Sequence, residues 1–404
     1  MARGKGKAVV KRARNKGDRG RFAVTLHGDI RVTRRYQINS QGKGESPVDA
    51  ALGLDDHGVS PGAREVSSRF GMEHSFKEAA AIARRYVGVT VGREFLRGIA
   101  EREGERITGA RDGGELAAAF TAADAVVDAK TDPDLTRLYA GVDGVFVPVV
   151  TVAEKQKRRA KHELRRQALA GAGSKFFQPL SSELGGYGDG YKEMKLVTFY
   201  TQDKSRMHVV VTGGDCDQAA ALLRIHAAQV KLCEAVETIS LTDGAVWIIL
   251  RLKEVLPWLT AMLLDSFHLT QHLHAAAICQ FGETDEAGDW TRARVKEFRE
   301  LGVADALGAL VAARKAARTR AARKELDTLI GYVTERMAML GYKHALSKGW
   351  DIGSGPTEAQ CKTNATRLKI SGAKWNVENA PRMMNLLATR NSGQWDTYWR
   401  RLAA

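Results

Sequence analysis

Hydrophobic and polar residues alternate along FAVTLHGDIRVTRRYQI, residues 22–38, in two runs parted by His27-Gly28-Asp29. A period of two on either side of a turn tripeptide predicts a β-hairpin. A Gly/Ser/Pro-rich stretch follows from Asn39 to Pro61. Between residues 75 and 103 the spacing changes. Phe76, Ala79, Ala80 and Ile82 fall at helical intervals, the pattern breaks at Val87-Gly88-Val89-Thr90, and it resumes with Phe95, Leu96 and Ile99. Two short helices joined by a glycine-containing turn, with Ser75 as N-cap, make a helix-turn-helix candidate.

From residue 139 the texture becomes that of strands. YAGVDGVFVPVV (139–150), MKLVTFYTQ (194–202) and MHVVVTGG (207–214) predict a three-stranded meander. A helix over 217–236, a strand ending in LTDG, a helix over 245–256 and a strand AMLLDSFHL (261–269) complete the run. The order βββαβαβ joins an antiparallel edge to a parallel βαβ core, so the expected class is α/β with a mixed sheet in three layers. Residues 281–349 are Ala/Arg-rich and helical without strand signals, an expected all-helical insertion. Residues 350–404 then return to the core.

Charge narrows the partners. The chain has 404 residues, and its 62 Lys and Arg against 47 Asp and Glu give a net charge of +15, which favours a polyanion. Double-stranded DNA is the expected partner. Membrane is not, because no apolar run of about 18 residues and no signal segment is found, so a cytoplasmic location is expected. Residues 1–22 hold nine Lys/Arg and a single Asp18, the composition of a disordered basic arm. Residues 23–135 form the expected DNA-binding region, and 136–280 the first part of the core. The basic run 156–167 is read as a solvated helix or linker face that could also meet phosphates. Cys216, Cys233, Cys279 and Cys361 make no Cys-x-x-Cys pair, which argues against a disulfide framework or thiolate zinc; they are expected to be reduced and mostly buried.

Three carboxylates stand out by placement. Asp143 interrupts an apolar strand between Val142 and Gly144, where an unpartnered charge is costly. Asp243 ends the fourth strand, and Asp-Gly there suits either an ordinary turn or a carboxylate held for chemistry. Gly244 is expected to turn the backbone tightly enough for metal and phosphate to approach. Glu358 lies in GWDIGSGPTEAQCK, where Ser354 or Gly355 can cap a helix and Pro356 suits its first turn. Such a trio supplies hard oxygen ligands for two Mg²⁺ ions, with Mn²⁺ a substitute. His268, His272 and His274 form H-x-x-x-H-x-H, open to a zinc reading but lacking a nearby thiolate or second cluster. Lys362 shares a helix face with Glu358, and Arg367, Lys369 and Trp375 follow as candidate DNA contacts, against the alternatives of a solvated face and a core tryptophan.

VDGVFVP, LTDGAVWI, LLDSFHLTQHL, IGSGPTEAQCK and AKWNVENAPRMMNLLATRNSGQWDTYW, in order over about residues 139–400, resemble the catalytic domain of DDE transposases of the Mutator-like superfamily, in particular bacterial insertion-sequence transposases of the ISKra type. The resemblance implies an RNase H-like core in which the first and fourth strands are neighbours. It implies that Asp143, Asp243 and Glu358 are the catalytic, metal-binding acids, with Asp265 and His268 as a D-x-x-H signature beside them. It also implies binding of terminal inverted repeats, strand cleavage and transfer, an assembly of at least two copies, and a bacterial, nucleoid-associated location. One departure is visible: RYQINSQGKGESPVDAALGL matches the family at Pro47, Asp49 and Leu52–Leu54 but lacks the Cys-x-x-Cys pair of many relatives. A silent transposase-derived DNA-binding protein and an RNase H-like nuclease are the alternatives.

Overall fold

The computed structural model describes residues 14–38, 44–171 and 188–403. Two compact units are formed, one by the chain up to Ala110 together with Trp395 onward, the other by Arg111–Gln394. The division thus falls upstream of the boundary near 135 read from texture, and the last ten residues group with the first unit.

In the first unit, β1 (Arg14–Thr25) and β2 (Gly28–Ile38) form the expected antiparallel hairpin, extended by the short β3 (Gly44–Glu45). Residues 14–22, expected to be disordered, are therefore strand; the rest of that arm lies outside the described residues. Pairing with β2 supplies what local composition lacks, as in Arg21↔Val32 and Ala23↔Ile30. Four helices follow: α1 (Pro47–Ala51), α2 (Pro61–Glu73), α3 (Phe76–Ile82) and α4 (Arg93–Asp112). Ser75 caps α3 by accepting from the Glu78 amide at 3.2 Å, and Gly88 at φ +77° ends the turn beyond it. Helix α2 has no apolar stripe in the sequence because its buried face includes Ser67, Ser68 and Gly71 beside Ala63 and Met72.

The second unit is a mixed α/β domain. Its strands are β4 (Val126–Asp128), β5 (Asp132–Pro148), β6 (Tyr191–Thr201), β7 (Met207–Thr212), β8 (Glu237–Thr242) and β9 (Ala261–Leu264). They form one six-stranded sheet of order β7-β6-β5-β8-β9, with β4 folded back on β5. The β5-β8 and β8-β9 pairs are parallel and the others antiparallel. Helix α5 (Val152–Gly171) leaves β5; α6 (Cys216–Gln229) and α7 (Val246–Val255) make the crossovers. After β9 comes α8 (Ser266–Phe281), in a stretch expected to belong to the core; α9 (Asp285–Glu300), α10 (Val303–Ala316), α11 (Arg320–Glu335) and α12 (Tyr342–Ser347) form the expected helical insertion, and α13 (Gly355–Thr366) and α14 (Asn379–Asn391) follow. The final helix α15 (Trp395–Ala403) packs in the first unit.

Strand periodicity sorts the core. Leu138, Ala140 and Val142 of β5 join the apolar cluster with Leu222, Leu223, Ile248 and Leu252 of α6 and α7. Tyr139 packs instead with Tyr200, Ile239, Leu241, Ala345 and Trp350. Odd-numbered positions of β5 and β8 therefore share the second face. The insertion has its own core of Leu269, Leu273, Phe298, Leu310, Leu326, Leu329 and Val333. Of the four free cysteines only Cys361 is buried, and Cys233 and Cys279 are exposed, contrary to the expectation that most would be covered. Among the described residues, no helix is long and apolar enough to cross a membrane.

Candidate active site at the edge of the mixed sheet

The parallel β5-β8 ladder ends at Gly141↔Leu241, and Asp143 and Asp243 each stand two residues beyond that last pair. On β5, alternation turns Asp143 to the face that holds Tyr139 and Gly141. Helix α13 lies on this face, and Gly141 is what lets it come close. A Cβ at 141 would stand 2.0 Å from Thr357 Oγ1 and 2.7 Å from Thr198 Oγ1, atoms that are themselves 2.8 Å apart. Thr357 immediately precedes Glu358, so the missing side chain at 141 brings the Glu358 helix down beside Asp143. Ser354 is the N-cap residue of α13 and Pro356 sits in its first turn, as the sequence suggests, although the Ser354 hydroxyl makes no cap bond.

Asp143 feels the other two acids. Burial pushes the Asp143 carboxyl above the usual carboxylate range, and the charges of Asp243 and Glu358 add to it, against hydrogen bonds from the Cys361 thiol and the Gly144 amide. The Gly144 amide donates to Asp143 Oδ1 at 2.6 Å. Cys361, one turn beyond Glu358, is held as a thiol by burial and by Asp143. Asp243 accepts from the Ala245 amide at 2.9 Å, so it also performs the turn role open to it in the sequence. Neither Asp143 nor Asp243 has a Lys or Arg ion-pair partner among the described residues.

Asp265 and His268 are brought to the same place, but not on a strand. Strand β9 stops at Leu264 and Asp265 is the N-cap of α8, a correction to the expected strand over 261–269. Its Oδ1 accepts from the amides of Phe267 (2.6 Å) and His268 (3.0 Å), and its Oδ2 accepts from the Ser354 amide. Its own amide donates to Thr242 O at 2.7 Å. One residue thus ties the end of β8, the start of α8 and the start of α13. His268 Nε2 lies 3.6 Å from Glu358 Oε1. Donor atoms of Asp265, His268 and Glu358 fall within 4.8 Å of one another, a spacing a cation could use. Asp265, however, is 1% exposed and both its oxygens already accept amide hydrogens, so we assign it to positioning.

The insertion supplies contacts that sequence reasoning missed. Arg336 donates from Nε (3.3 Å) and Nη2 (3.1 Å) to Gly244 O, and Tyr332 Oη, under the Arg336 guanidinium, lies 3.5 Å from Asp243 O. These residues sit some ninety positions downstream of the turn they grip, so no local pattern marks them. Gly244 has φ +84°, as a tight turn needs, but the close approach it permits is by protein. A Cβ there would meet Leu264 Cδ1 at 2.6 Å and Arg336 Nε at 2.9 Å.

The remaining candidates divide. Lys362 and Lys369 are exposed. Arg367 and Trp375 are buried against each other, 5.1 Å from guanidinium to ring, with the indole N–H donating to Leu368 O at 3.2 Å. In this conformation neither presents a surface to DNA. His272 stacks on Tyr332 at 4.0 Å and His274 bonds Thr291 at 3.3 Å, so the three histidines do not converge. No protein-family model matches the chain, and no curated protein matches it.

Proposed function

We propose that this chain is a DDE-type DNA transposase, with Asp143, Asp243 and Glu358 as its catalytic acids in an RNase H-like core. The observation that carries the reading is geometric: Asp143 and Asp243 stand just beyond the last pair of one parallel ladder, and the absence of a side chain at Gly141 lets the Glu358 helix pack on the Asp143 face. The βββαβαβ order, interrupted by α5 after its first strand, with an antiparallel edge, a parallel centre and a helical insertion before the Glu358 helix, supports the fold assignment. The net charge of +15 suits a DNA substrate.

The donor set fits a hard divalent cation, because it is all carboxylate oxygen and one member, Asp143, is half-buried beside like charges with no Lys or Arg paired to it among the described residues. Bound there, Mg²⁺ or Mn²⁺ supplies Lewis-acid activation of an attacking oxygen and stabilisation of the leaving oxygen at phosphorus. The protein's own part is positioning. Asp265 and Gly141 fix α13, Arg336 and Tyr332 fix the Asp243 turn, His268 orients Glu358, and exposed Lys362 and Lys369 hold the phosphodiester. The protein acts on transposon ends and target DNA as at least a dimer, since two ends must be joined.

Asp243→Asn keeps the turn acceptor and removes the charge. It is expected to abolish divalent-dependent nicking and strand transfer on DNA carrying the element's ends, with unchanged melting temperature and DNA binding. Strand transfer at the wild-type rate by this variant refutes the assignment.

A further inference from the structure

We propose that the outward face of the β1–β2 ribbon, and not helix α4, is the surface by which the first unit enters the groove of double-stranded DNA. This rests on the DNA reading above, which assigned the N-terminal region as a whole without choosing between its hairpin and its helices.

Charge separates the two elements. Residues 14–38 carry seven Lys/Arg against Asp18 and Asp29, a net charge of +5. Helix α4 carries five arginines against five acids, net zero. Its arginines are also engaged: Arg97 reaches Glu94 at 2.9 Å, Arg93 reaches Glu94 at 3.3 Å and Arg106 reaches Glu103 at 3.0 Å. A helix whose cations are answered by its own acids releases few counterions on a duplex.

The ribbon's two faces have different employment. On the inner row, Arg21 and Arg34 both bond Asp49 of α1, at 2.9 and 2.7 Å, and Arg19 and Arg34 flank the Tyr36 ring. That row anchors the ribbon to the unit and fixes its orientation. Arg31, Thr33 and Arg35 form the outer row of β2, all exposed, opposite Phe22, Gly20 and Asp18 of β1. Gly20 offers no side chain, and the Arg31 guanidinium group lies over it, with Nε 3.2 Å from where a Cβ would stand. Phe22 is 68% exposed, an unusual cost for a large apolar ring on a polar face. Two acids lie on this face: exposed Asp29 next to the turn, and Asp18, which meets Arg35 at 3.5 Å with both side chains about 60% exposed, a pairing weak enough for a phosphate to replace. A two-stranded ribbon fits the major groove, where arginines can meet base edges or phosphates and an aromatic ring can meet a thymine methyl.

The test uses the full-length protein without divalent ions, and fluorescence anisotropy on a labelled mixed-sequence duplex across a salt series. Arg31→Ala/Arg35→Ala is expected to weaken binding about tenfold or more and to lower the log–log salt slope by about 1.8, two phosphate contacts' worth. Phe22→Ala weakens binding without changing the slope, and Arg93→Ala/Arg97→Ala leaves both within twofold. Arg31→Gln/Arg35→Gln repeats the test if the alanine pair lowers the melting temperature. Loss of binding on changing the α4 pair, no loss on changing the ribbon pair, or displacement by single-stranded RNA in preference to duplex overturns the proposal. The readout is independent of cleavage, so a ribbon that binds while Asp243→Asn still cuts overturns the catalytic reading alone.

Discussion

The carboxylate edge and the buried histidine pair of the second unit concentrate ionisable groups in opposite ways. At the edge, Asp143 is half-buried beside two other acids, and its carboxyl is raised by burial and by their charge. In the core, His208 Nε2 faces His226 Nδ1 at 2.9 Å, with both rings fully buried. Buried Arg111 bonds Val209 O nearby, and Asp112 Oδ1 stands 3.6 Å from His226 Nε2. Burial pushes both imidazoles below their ordinary value of 6.5, His208 well below, and the Arg111 charge adds to this against Asp112. The core keeps its two imidazoles neutral, whereas the edge holds the Asp143 carboxylate at a cost in stability.

The contrast has a pH signature. A histidine with a depressed folded value leaves the unfolded chain to take up protons first, so stability falls as pH drops below 6.5. Asp143, raised, binds its proton more readily in the fold, so its penalty grows as pH rises through its folded value and is relieved by acid. The largest expected effect is the first. Each histidine kept neutral contributes a loss of up to about 1.4 kcal/mol per pH unit below 6.5, read from denaturant midpoints between neutral and mildly acidic pH. His226→Gln, which keeps a partner for His208, should roughly halve that slope; an unchanged slope breaks the comparison.

Asp265→Asn is the next test. Its amide NH₂ must face one of the backbone N–H groups that the carboxylate now accepts, at a cost of about 2 kcal/mol by thermal denaturation. Wild-type stability would remove Asp265 from the scaffold that holds α8 and α13. Smallest in stability is Asp143→Asn. Removing a penalised charge should stabilise the fold by about 1 kcal/mol near neutral pH and by nothing in acid, while activity is lost. Destabilisation at neutral pH would show that the Asp143 carboxylate supports the fold.

Much of the edge was legible in the sequence. An acid inside an apolar strand, an Asp-Gly after another, and Ser-Gly-Pro ahead of Glu358 are all local patterns, because strand period and helix capping depend on residues within a few positions of one another. The hairpin, the βββαβαβ order and the helical insertion were legible for the same reason. Helix α2 was not, since Ser67, Ser68 and Gly71 interrupt the apolar positions of its buried face. Nor was the strand over residues 14–22, which exists through pairing with β2.

The chain's local periods thus determined which acids could stand at strand and helix ends. Tertiary structure alone decided that Gly141 admits α13, that Asp265 knots three elements, that Arg336 grips Gly244 from the insertion, and that Trp375 and Arg367 are spent on each other. These contacts join residues far apart in the chain, and packing is specified by shape and hydrogen-bond complementarity that no short window of sequence contains.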